Sequence, residues 1–158
     1  MKIQVGIAAD HRGFALKELL KYEVAFGDLE VTWHDVGCFS AERTDYPLFA
    51  HKIVQALQRK EISCAVVLCG SGIGMAIAAN RFKHVYAGVA WNPDVARAAK
   101  EDDNVNVLSI PADYVDSALM REIVQAWLTA QFKGGRYAER LSMVDPAFAQ
   151  GFGGQVKK

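Results

Sequence analysis

Residues 64–74 are Cys-Ala-Val-Val-Leu-Cys-Gly-Ser-Gly-Ile-Gly, and this stretch is the most informative part of the chain. A short apolar run bounded by a glycine-rich turn is typical of a buried strand, and the small residues that follow predict a helix over residues 72–80. In a strand, turn and helix of this kind, the turn amides point outward and the helix dipole favours negative charge. Cys69 opens the turn, and such surroundings favour the thiolate, which is the form that acts as a base or nucleophile.

Strands and helices are predicted to alternate along the rest of the chain. Apolar runs predict strands at residues 3–8, 29–36, 65–68, 86–90 and 105–110. Each is followed by a helical segment, with Pro47 in the first turn of the second helix and Asp116 as the N-cap of the last. We expect Gly134-Gly135 to end that last helix. The pattern predicts an α/β fold, a doubly wound, Rossmann-like, five-stranded parallel sheet with five helices on both faces.

Apolar residues at helical spacing predict which helix faces are buried. The residues on these stripes are Leu16, Leu19 and Leu20 in the first helix, then Tyr46, Phe49, Ala50, Ile53, Val54 and Leu57, and finally Met120, Ile123, Val124, Trp127 and Leu128.

The bulk composition narrows the class of protein. The 158 residues suit a single domain over residues 1–144, followed by a loosely ordered tail at 145–158 that holds three glycines. Acidic and basic side chains balance at 18 each, so no nucleic acid or anionic membrane is expected as a partner. The N-terminus resembles a strand rather than a signal peptide. Three scattered cysteines without metal-type spacing predict a reduced, cytoplasmic protein with no bound metal.

Polar clusters mark where a ligand would bind. Asp10-His11, the Cys69 turn and Asp102-Asp103-Asn104 are all expected at carboxyl ends of strands, where open parallel sheets bind ligands. Arg136 and Arg140 lie one helical turn apart, a spacing that can aim two guanidinium groups at one phosphate. Together they predict a small phosphorylated carbonyl compound as ligand. The turn amides would stabilise an enediolate oxygen, and the thiolate would take a proton from the carbon beside the carbonyl.

Each of these features also has a purely structural interpretation. Glycine turns often serve packing, and a cysteine at a strand end is often a small core residue, as we expect for Cys38 and Cys64. Asp10 could simply be the N-cap of the first helix. The arginine pair and the acidic run before strand five could be solvated surface. A dinucleotide site is disfavoured, because its glycine fingerprint belongs after the first strand.

Six separated blocks resemble those of the ribose-5-phosphate isomerase B family, which includes the galactose-6-phosphate isomerase subunits. The blocks are Ala9-Asp10-His11-x-Gly13, Glu42-Arg43-Thr44-Asp45-Tyr46-Pro47, Cys69-Gly70-Ser71-Gly72-Ile73-Gly74, Ala78-Ala79-Asn80, Asn106-Val107-Leu108 and Gly134-Gly135-Arg136. They occur in the family's order, and the resemblance extends from Ile3 to about Val144.

The resemblance implies aldose–ketose isomerisation through a cis-enediolate, without metal or organic cofactor. Cys69 would be the base that moves a proton between C1 and C2. Ser71 and the amides of Gly70, Gly72, Ile73 and Gly74 would hold the oxyanion. Asp10 and His11 would bind the sugar and phosphate end, and Tyr46 would line the pocket. Arg136 and Arg140 would bind the phosphate between them. A homodimer or dimer of dimers is implied, with the active site shared between subunits and the arginines supplied by the partner.

The chain departs from the family before strand five. Many members carry a His-Asn pair there, and the histidine opens the furanose ring; this chain has Asp102 and Asp103. A carboxylate is a weaker proton donor at neutral pH, and adjacent carboxylates repel a phosphate unless they point away or a cation intervenes. Tyr137 also stands where relatives commonly have histidine, which suggests a shifted substrate preference.

Three hypotheses account for the acidic pair. Asp102 performs the ring opening itself, the natural substrate is an open-chain tetrose phosphate, or another subunit of a hetero-oligomer supplies the histidine. The leading function is interconversion of ribose 5-phosphate and ribulose 5-phosphate. The alternatives are isomerisation of a tetrose or hexose phosphate, and a non-catalytic phosphosugar-binding subunit.

Overall fold

The computed structural model describes residues 1–144, so the predicted loosely ordered tail lies outside the described residues. Strands and helices alternate along the chain in the order β1 (Lys2–Ala9), α1 (Phe14–Leu20), β2 (Ala25–Phe26), β3 (Leu29–Asp35), α2 (Tyr46–Gln58), β4 (Cys64–Cys69), α3 (Ile73–Ala79), β5 (Ala87–Val89), α4 (Pro93–Asp103), β6 (Val107–Pro111), α5 (Ser117–Thr129) and α6 (Arg136–Ser142).

The strands form one sheet in the order β2-β3-β1-β4-β6-β5. All pairings are parallel except that of β2 with β3. On one face α5 packs with both α1 and α4, and on the other face α2 packs with α3. The doubly wound, Rossmann-like α/β class predicted from the sequence is therefore confirmed.

The sheet has six strands rather than the predicted five. The additional strand, β2, is two residues long and runs antiparallel to β3. Gly27 lies between the two strands with a φ of +59°, in the left-handed region that glycine adopts without steric cost. The extra strand is thus the short arm of a tight hairpin, too short to show an alternating pattern in the sequence.

The end of the last predicted helix also differs. α5 stops at Thr129, and Gly134-Gly135 precede a sixth helix, α6, instead of ending the fifth. Both glycines have positive φ values, +64° and +54°, so they form the bend between the two helices. The predicted N-cap of α5 is confirmed, because the Asp116 side chain accepts a hydrogen bond of 2.8 Å from the amide of Leu119.

The core lies on both sides of β4, whose six residues are all buried. The buried stripes predicted for α2 and α5 are confirmed in their main residues, although Tyr46 is exposed. In α1 the prediction is wrong for Leu19, which is 53% exposed. Lys17 instead faces inward with Leu20, because its ammonium group finds a carboxylate partner in Asp35 at 2.6 Å.

Asn80 and Asn106, which belong to the blocks that resemble the family, hydrogen-bond to the backbone in and before the edge strand β5. The Asn80 side chain donates to the carbonyl of Ala87 at 2.8 Å and accepts from its amide at 2.7 Å. The Asn106 side chain accepts from the amide of Tyr86 at 2.9 Å and donates to the carbonyl of His84 at 2.9 Å. These side chains satisfy strand-edge groups that would otherwise lack partners.

Candidate active site

The Cys69 turn lies at the carboxyl edge of the sheet, between the ends of β1 and β6. Cys69 is the last residue of β4 and is 4% exposed. Gly72 has a φ of +74°, and the buried Ser109 hydroxyl donates to its carbonyl at 2.6 Å. Gly72 has a left-handed backbone conformation that the Ser109 hydrogen bond holds in place, and it turns the chain sharply from β4 into α3.

Backbone hydrogen bonds orient the amides of this turn. The amide of Ala112 donates to the carbonyl of Cys69 at 2.9 Å, and that of Asp113 donates to the carbonyl of Gly70 at 3.0 Å. Within residues 1–144 the amides of Gly70, Ser71 and Gly72 donate no hydrogen bond in return. These three N–H groups therefore have no partner in the described part of the chain, and an oxyanion site requires unpaired donors of this kind.

Ser71 contributes to the turn as well as offering a hydroxyl group. Its Oγ accepts a hydrogen bond of 3.3 Å from the amide of Ile73, the first residue of α3. The hydroxyl hydrogen remains available, so Ser71 can cap α3 and donate to a ligand oxygen at once.

Asp10 stands beside the turn at the end of β1, and its amide donates to the carbonyl of Leu68 at 3.1 Å. The side chain is buried, and its Oδ1 accepts from the amides of Arg12 at 2.9 Å and Gly13 at 3.1 Å. These bonds close the turn before α1, so Asp10 is not the helix N-cap foreseen as an alternative; that position belongs to Gly13, which has no side-chain cap. Within residues 1–144 Oδ2 makes no hydrogen bond, so the second oxygen remains free to accept one from a ligand.

His11 is oriented by the loop before α2. Its Nδ1 lies 3.2 Å from the carbonyl oxygen of Thr44 and 3.3 Å from the Thr44 amide, so the tautomer decides which bond forms. The Thr44 hydroxyl is buried and has no hydrogen-bond partner within the described part of the chain. This buried hydroxyl without a partner, beside His11, is a further polar group at this edge; Thr44 belongs to one of the blocks that resemble the family but was not a predicted site residue.

Tyr46 reaches the turn from the start of α2. A Cβ atom on Gly74 would lie 2.8 Å from Cζ of the Tyr46 ring, so the ring packs directly on Gly74. This contact places the Tyr46 ring beside the first turn of α3, and its role in lining a pocket stays a prediction.

Two charged residues at this edge were absent from the predicted site. Arg12 forms an ion pair with Asp113, and its guanidinium group packs against Gly70. Both lie within three residues of a strand end, Arg12 after β1 and Asp113 after β6. The strand-end rule, applied to every charged residue, would have found them.

The third predicted cluster does not lie with the other two. Asp102 and Asp103 are the last residues of α4, which starts near the carboxyl edge and runs back to the amino edge of the sheet. At a rise of 1.5 Å per residue, the 11-residue helix carries them roughly 15 Å from that edge. The prediction of a common edge is wrong, because residues just before a parallel strand lie at its amino end.

Lys133 pairs with two carboxylates of the acidic run at the end of α4. Lys133 Nζ lies 2.7 Å from Asp102 Oδ1 and 3.0 Å from Glu101 Oε2. These bonds, to Asp102 first and Glu101 second, raise the pKa of Lys133. A cation thus intervenes at the acidic run.

Arg136 and Arg140 lie on α6, close to this acidic run. Both are exposed and hold their guanidinium groups over the Tyr137 ring, 5.0 Å and 5.7 Å from its centroid. The hydrogen bond to the Tyr137 hydroxyl, the largest cause, raises the pKa of Arg136, and the charge of Asp102 adds to it. Asp103 and Leu141 line a groove of about 420 Å³ between α4, α6 and β5.

One subunit therefore carries two separate polar groups of residues. The base half holds Asp10, His11, Cys69 and the turn amides at the carboxyl edge. The arginine half holds Asp102, Lys133, Arg136 and Arg140 near the amino edge. A separate cavity of about 750 Å³, lined by residues such as Lys60, Lys83 and His84, also lies away from Cys69.

The remaining features of residues 1–144 that bear on function are the metal-ligating side chains, the helices and the cysteines. No group of three or more His, Cys, Asp or Glu side chains there is placed to hold a metal ion. None of the helices in that range has the length and apolar character needed to cross a membrane. Cys38, Cys64 and Cys69 are all free and buried, and burial raises the pKa of Cys38 and of Cys64.

The fold and the turn define an α/β enzyme class that binds its ligand beyond the carboxyl ends of the strands. The ribose/galactose isomerase family model matches residues 5–144, so the chain belongs to that family. The family predicted from the sequence blocks is confirmed.

Individual relatives are similar to this chain along nearly their whole length. Ribose-5-phosphate isomerase B of Escherichia coli K12 is 35% identical over 141 residues, which cover 89% of this chain and 93% of that protein. The crystal structure of a ribose 5-phosphate isomerase from Thermotoga maritima superimposes with a TM-score of 0.84 at 38% identity, covering 90% of this chain and 97% of that one. The type B isomerase of Trypanosoma brucei gives a TM-score of 0.87 at 32% identity, covering 93% and 99%.

Proposed function

We propose that the protein is an aldose–ketose isomerase that interconverts ribose 5-phosphate and ribulose 5-phosphate through a cis-enediolate. The observation that carries this proposal is the Cys69 turn, where a thiol opens a row of three unbonded amides at the carboxyl edge. The names of the relatives in E. coli and T. maritima support the same substrate. Such a reaction takes place in the pentose phosphate pathway, in keeping with the cytoplasmic location expected from the sequence.

The reaction moves one proton between neighbouring carbons. The Cys69 thiolate removes the proton from C2 of the open-chain aldose, and negative charge develops on the carbonyl oxygen at C1. The amides of Gly70, Ser71 and Gly72 and the Ser71 hydroxyl stabilise that charge. The thiol then returns the proton to C1, while proton transfer between the two oxygens completes the ketose.

His11 and Asp10 bind the substrate at the same edge. The Asp10 Oδ2 atom accepts from a sugar hydroxyl, and the His11 ring, oriented by Thr44, donates to a hydroxyl or phosphate oxygen. Tyr46 closes one side of the pocket against Gly74.

The active site is shared between two subunits of a homodimer or a dimer of dimers. The separation of the base half from the arginine half supports this, because α4 holds Asp102 roughly 15 Å from the carboxyl edge. A partner subunit would place its Arg136 and Arg140 at the phosphate. Large apolar side chains exposed around the base half suit the contact, namely Leu48, Ile73, Ile77 and Trp91.

Ring opening is the step for which this chain departs from its relatives. Asp102 is held by Lys133, and an ion-paired carboxylate is a poor proton donor. This pairing favours a substrate that needs no ring opening, so an open-chain tetrose 4-phosphate is the second candidate. Its O4 is esterified, and it therefore cannot close to a furanose.

A substrate panel tests the proposal. Steady-state rates with ribose 5-phosphate, a tetrose 4-phosphate and a hexose 6-phosphate are compared at equal enzyme concentration. We expect the highest kcat/KM with ribose 5-phosphate. A higher value with the tetrose phosphate would support the second candidate. No turnover with any of them would contradict the proposal and favour a non-catalytic phosphosugar-binding subunit.

A further inference from the structure

Arg12 lies directly over the turn that begins at Cys69. A Cβ atom on Gly70 would lie 2.2 Å from Cζ of Arg12 and 2.4 Å from its Nη1. Real side chains never approach so closely, so the guanidinium group occupies the space that any side chain at position 70 would need. A positive charge is therefore packed onto the first glycine of the proposed oxyanion site.

Asp113 fixes the position of this guanidinium group. Its carboxylate pairs with Nη2 of Arg12, and its own amide donates to the carbonyl of Gly70 at 3.0 Å. One residue thus holds both the turn and the cation above it. The arrangement ties the end of β1 to the end of β6 across the end of β4.

Arg12 keeps donor groups for a ligand. A guanidinium group carries five N–H donors, and one carboxylate accepts at most two of them in the bidentate geometry. The Arg12 side chain is 55% exposed, so the remaining donors are open to solvent at the mouth of the turn. The guanidinium group lies against Gly70, and the amides of Gly70 and Ser71 also donate no hydrogen bond within residues 1–144.

We propose that Arg12 is a further substrate-binding residue, which donates from the same subunit as Cys69 to a negatively charged oxygen of the bound sugar phosphate, and that Asp113 positions it. The inference rests on the proposed function. The oxygen belongs either to the phosphate or to the enediolate, and both present the same anionic acceptor.

The variant Arg12→Gln tests the donor. Its matched control is Arg59→Gln, because Arg59 is also largely exposed and paired with an acid, Glu61 at 3.8 Å. We expect kcat/KM to fall about 10- to 100-fold in Arg12→Gln and to stay unchanged in the control. A raised KM with weaker inhibition by inorganic phosphate assigns the phosphate oxygen, and a lowered kcat assigns the enediolate. An unchanged kcat/KM overturns the proposal.

Gly70→Ala perturbs the same contact from the opposite side. The φ of Gly70 lies outside the left-handed region and the clash is with a flexible side-chain end, so alanine displaces Arg12 rather than the backbone. We expect Gly70→Ala to lower kcat/KM in the wild-type background and to have little further effect in Arg12→Gln. Asp113→Ala should behave in the same way. Equal losses in both backgrounds would contradict the role of Arg12.

Two different outcomes separate the role of Arg12 from the isomerase activity itself. Turnover that depends on Cys69 but is indifferent to Arg12 refutes the inference alone. A wild-type protein that isomerises no sugar phosphate refutes the proposed function, and the inference falls with it.

Discussion

The Asp35 carboxylate at the end of β3 holds two lysines at one point. Lys17 Nζ is fully buried and lies 2.6 Å from Asp35 Oδ2, and Lys21 Nζ lies 2.7 Å from the same oxygen. Burial acts to raise the pKa of Asp35, but the hydrogen bonds from Lys17 and Lys21 outweigh it, and the pKa is lowered. A group with a lowered folded-state pKa stabilises the fold above its unfolded pKa and loses that contribution as the pH falls.

We therefore expect the free energy of unfolding to decline as the pH falls below about 4, and to decline less in Asp35→Asn. At pH 7 that variant should lose about 3 kcal/mol, because it leaves the Lys17 charge buried without its best partner. Urea unfolding between pH 7 and pH 2.5 measures both effects. The exposed pair of Lys2 with Glu30 gives the control, and Glu30→Gln should change stability by less than about 1 kcal/mol. Equal losses in the two variants would contradict the role of Asp35.

Asp102 is the residue at which we predict an effect on the use of a cyclic substrate. If the lack of a histidine limits ring opening, Asp102→His should raise turnover of ribose 5-phosphate more than turnover of an open-chain tetrose phosphate. Steady-state rates of both substrates with wild-type and variant protein provide the comparison. An equal change in the two rates would exclude ring opening as the affected step.

The contact between α1 and β4 depends on a glycine at the start of the helix. A Cβ atom on Gly13 would lie 2.6 Å from both the Cβ and the carbonyl oxygen of Leu68. We expect Gly13→Ala to destabilise the protein by at least about 1–3 kcal/mol, because backbone atoms must move apart. Thermal unfolding measures the loss. Ala15→Ser, at an exposed position of the same helix, should leave the midpoint nearly unchanged, and a similar midpoint for both variants would contradict the packing account.

Sequence periodicity predicted the long, buried elements and missed the short ones. β4 and α5 carry six and 13 residues with clear apolar patterns, and both lie where predicted. β2 has only two residues, and α6 has no buried residue, so neither leaves an apolar signal. Lys17 was also unpredictable from periodicity, because its burial depends on Asp35, which is distant in sequence.

The candidate site was predictable in its motifs but not in its assembly. The Cys69 turn and Asp10-His11 follow strands, and the strand-end rule places them together correctly. Asp102 precedes a strand, and only the direction of α4 shows that it lies at the opposite edge. Arg12 and Asp113 are distant in sequence and come together only in the tertiary fold. Their spacing along the chain therefore could not predict the ion pair.

At the scale of the whole molecule, the two halves of the site predict complementation between defective subunits. Cys69→Ala removes the base half, and Arg136→Gln with Arg140→Gln removes the arginine half. Half of the dimers formed from an equal mixture are mixed, and each has one intact site of two, so about a quarter of wild-type activity should return. Co-expression with two affinity tags isolates the mixed species for assay.

The control for complementation pairs two variants of the same half, Cys69→Ala with Cys69→Ser. Every site in that mixture lacks its base, so activity should not return. Failure of the first mixture to exceed the control, with the mixed dimers present, would show that each subunit acts with its own arginines or without them.

The most direct test of the central claim is incorporation of solvent deuterium into the recovered aldose at C2, followed by NMR with ribose 5-phosphate in D₂O. Wild-type protein should return deuterium to C2 of the recovered ribose 5-phosphate, because the Cys69 thiol that forms on proton abstraction exchanges its proton with solvent before it reprotonates the enediolate. Cys69→Ala should abolish both exchange and isomerisation while retaining the wild-type unfolding midpoint. Exchange that persists in a folded Cys69→Ala variant would contradict the assignment of Cys69 as the base.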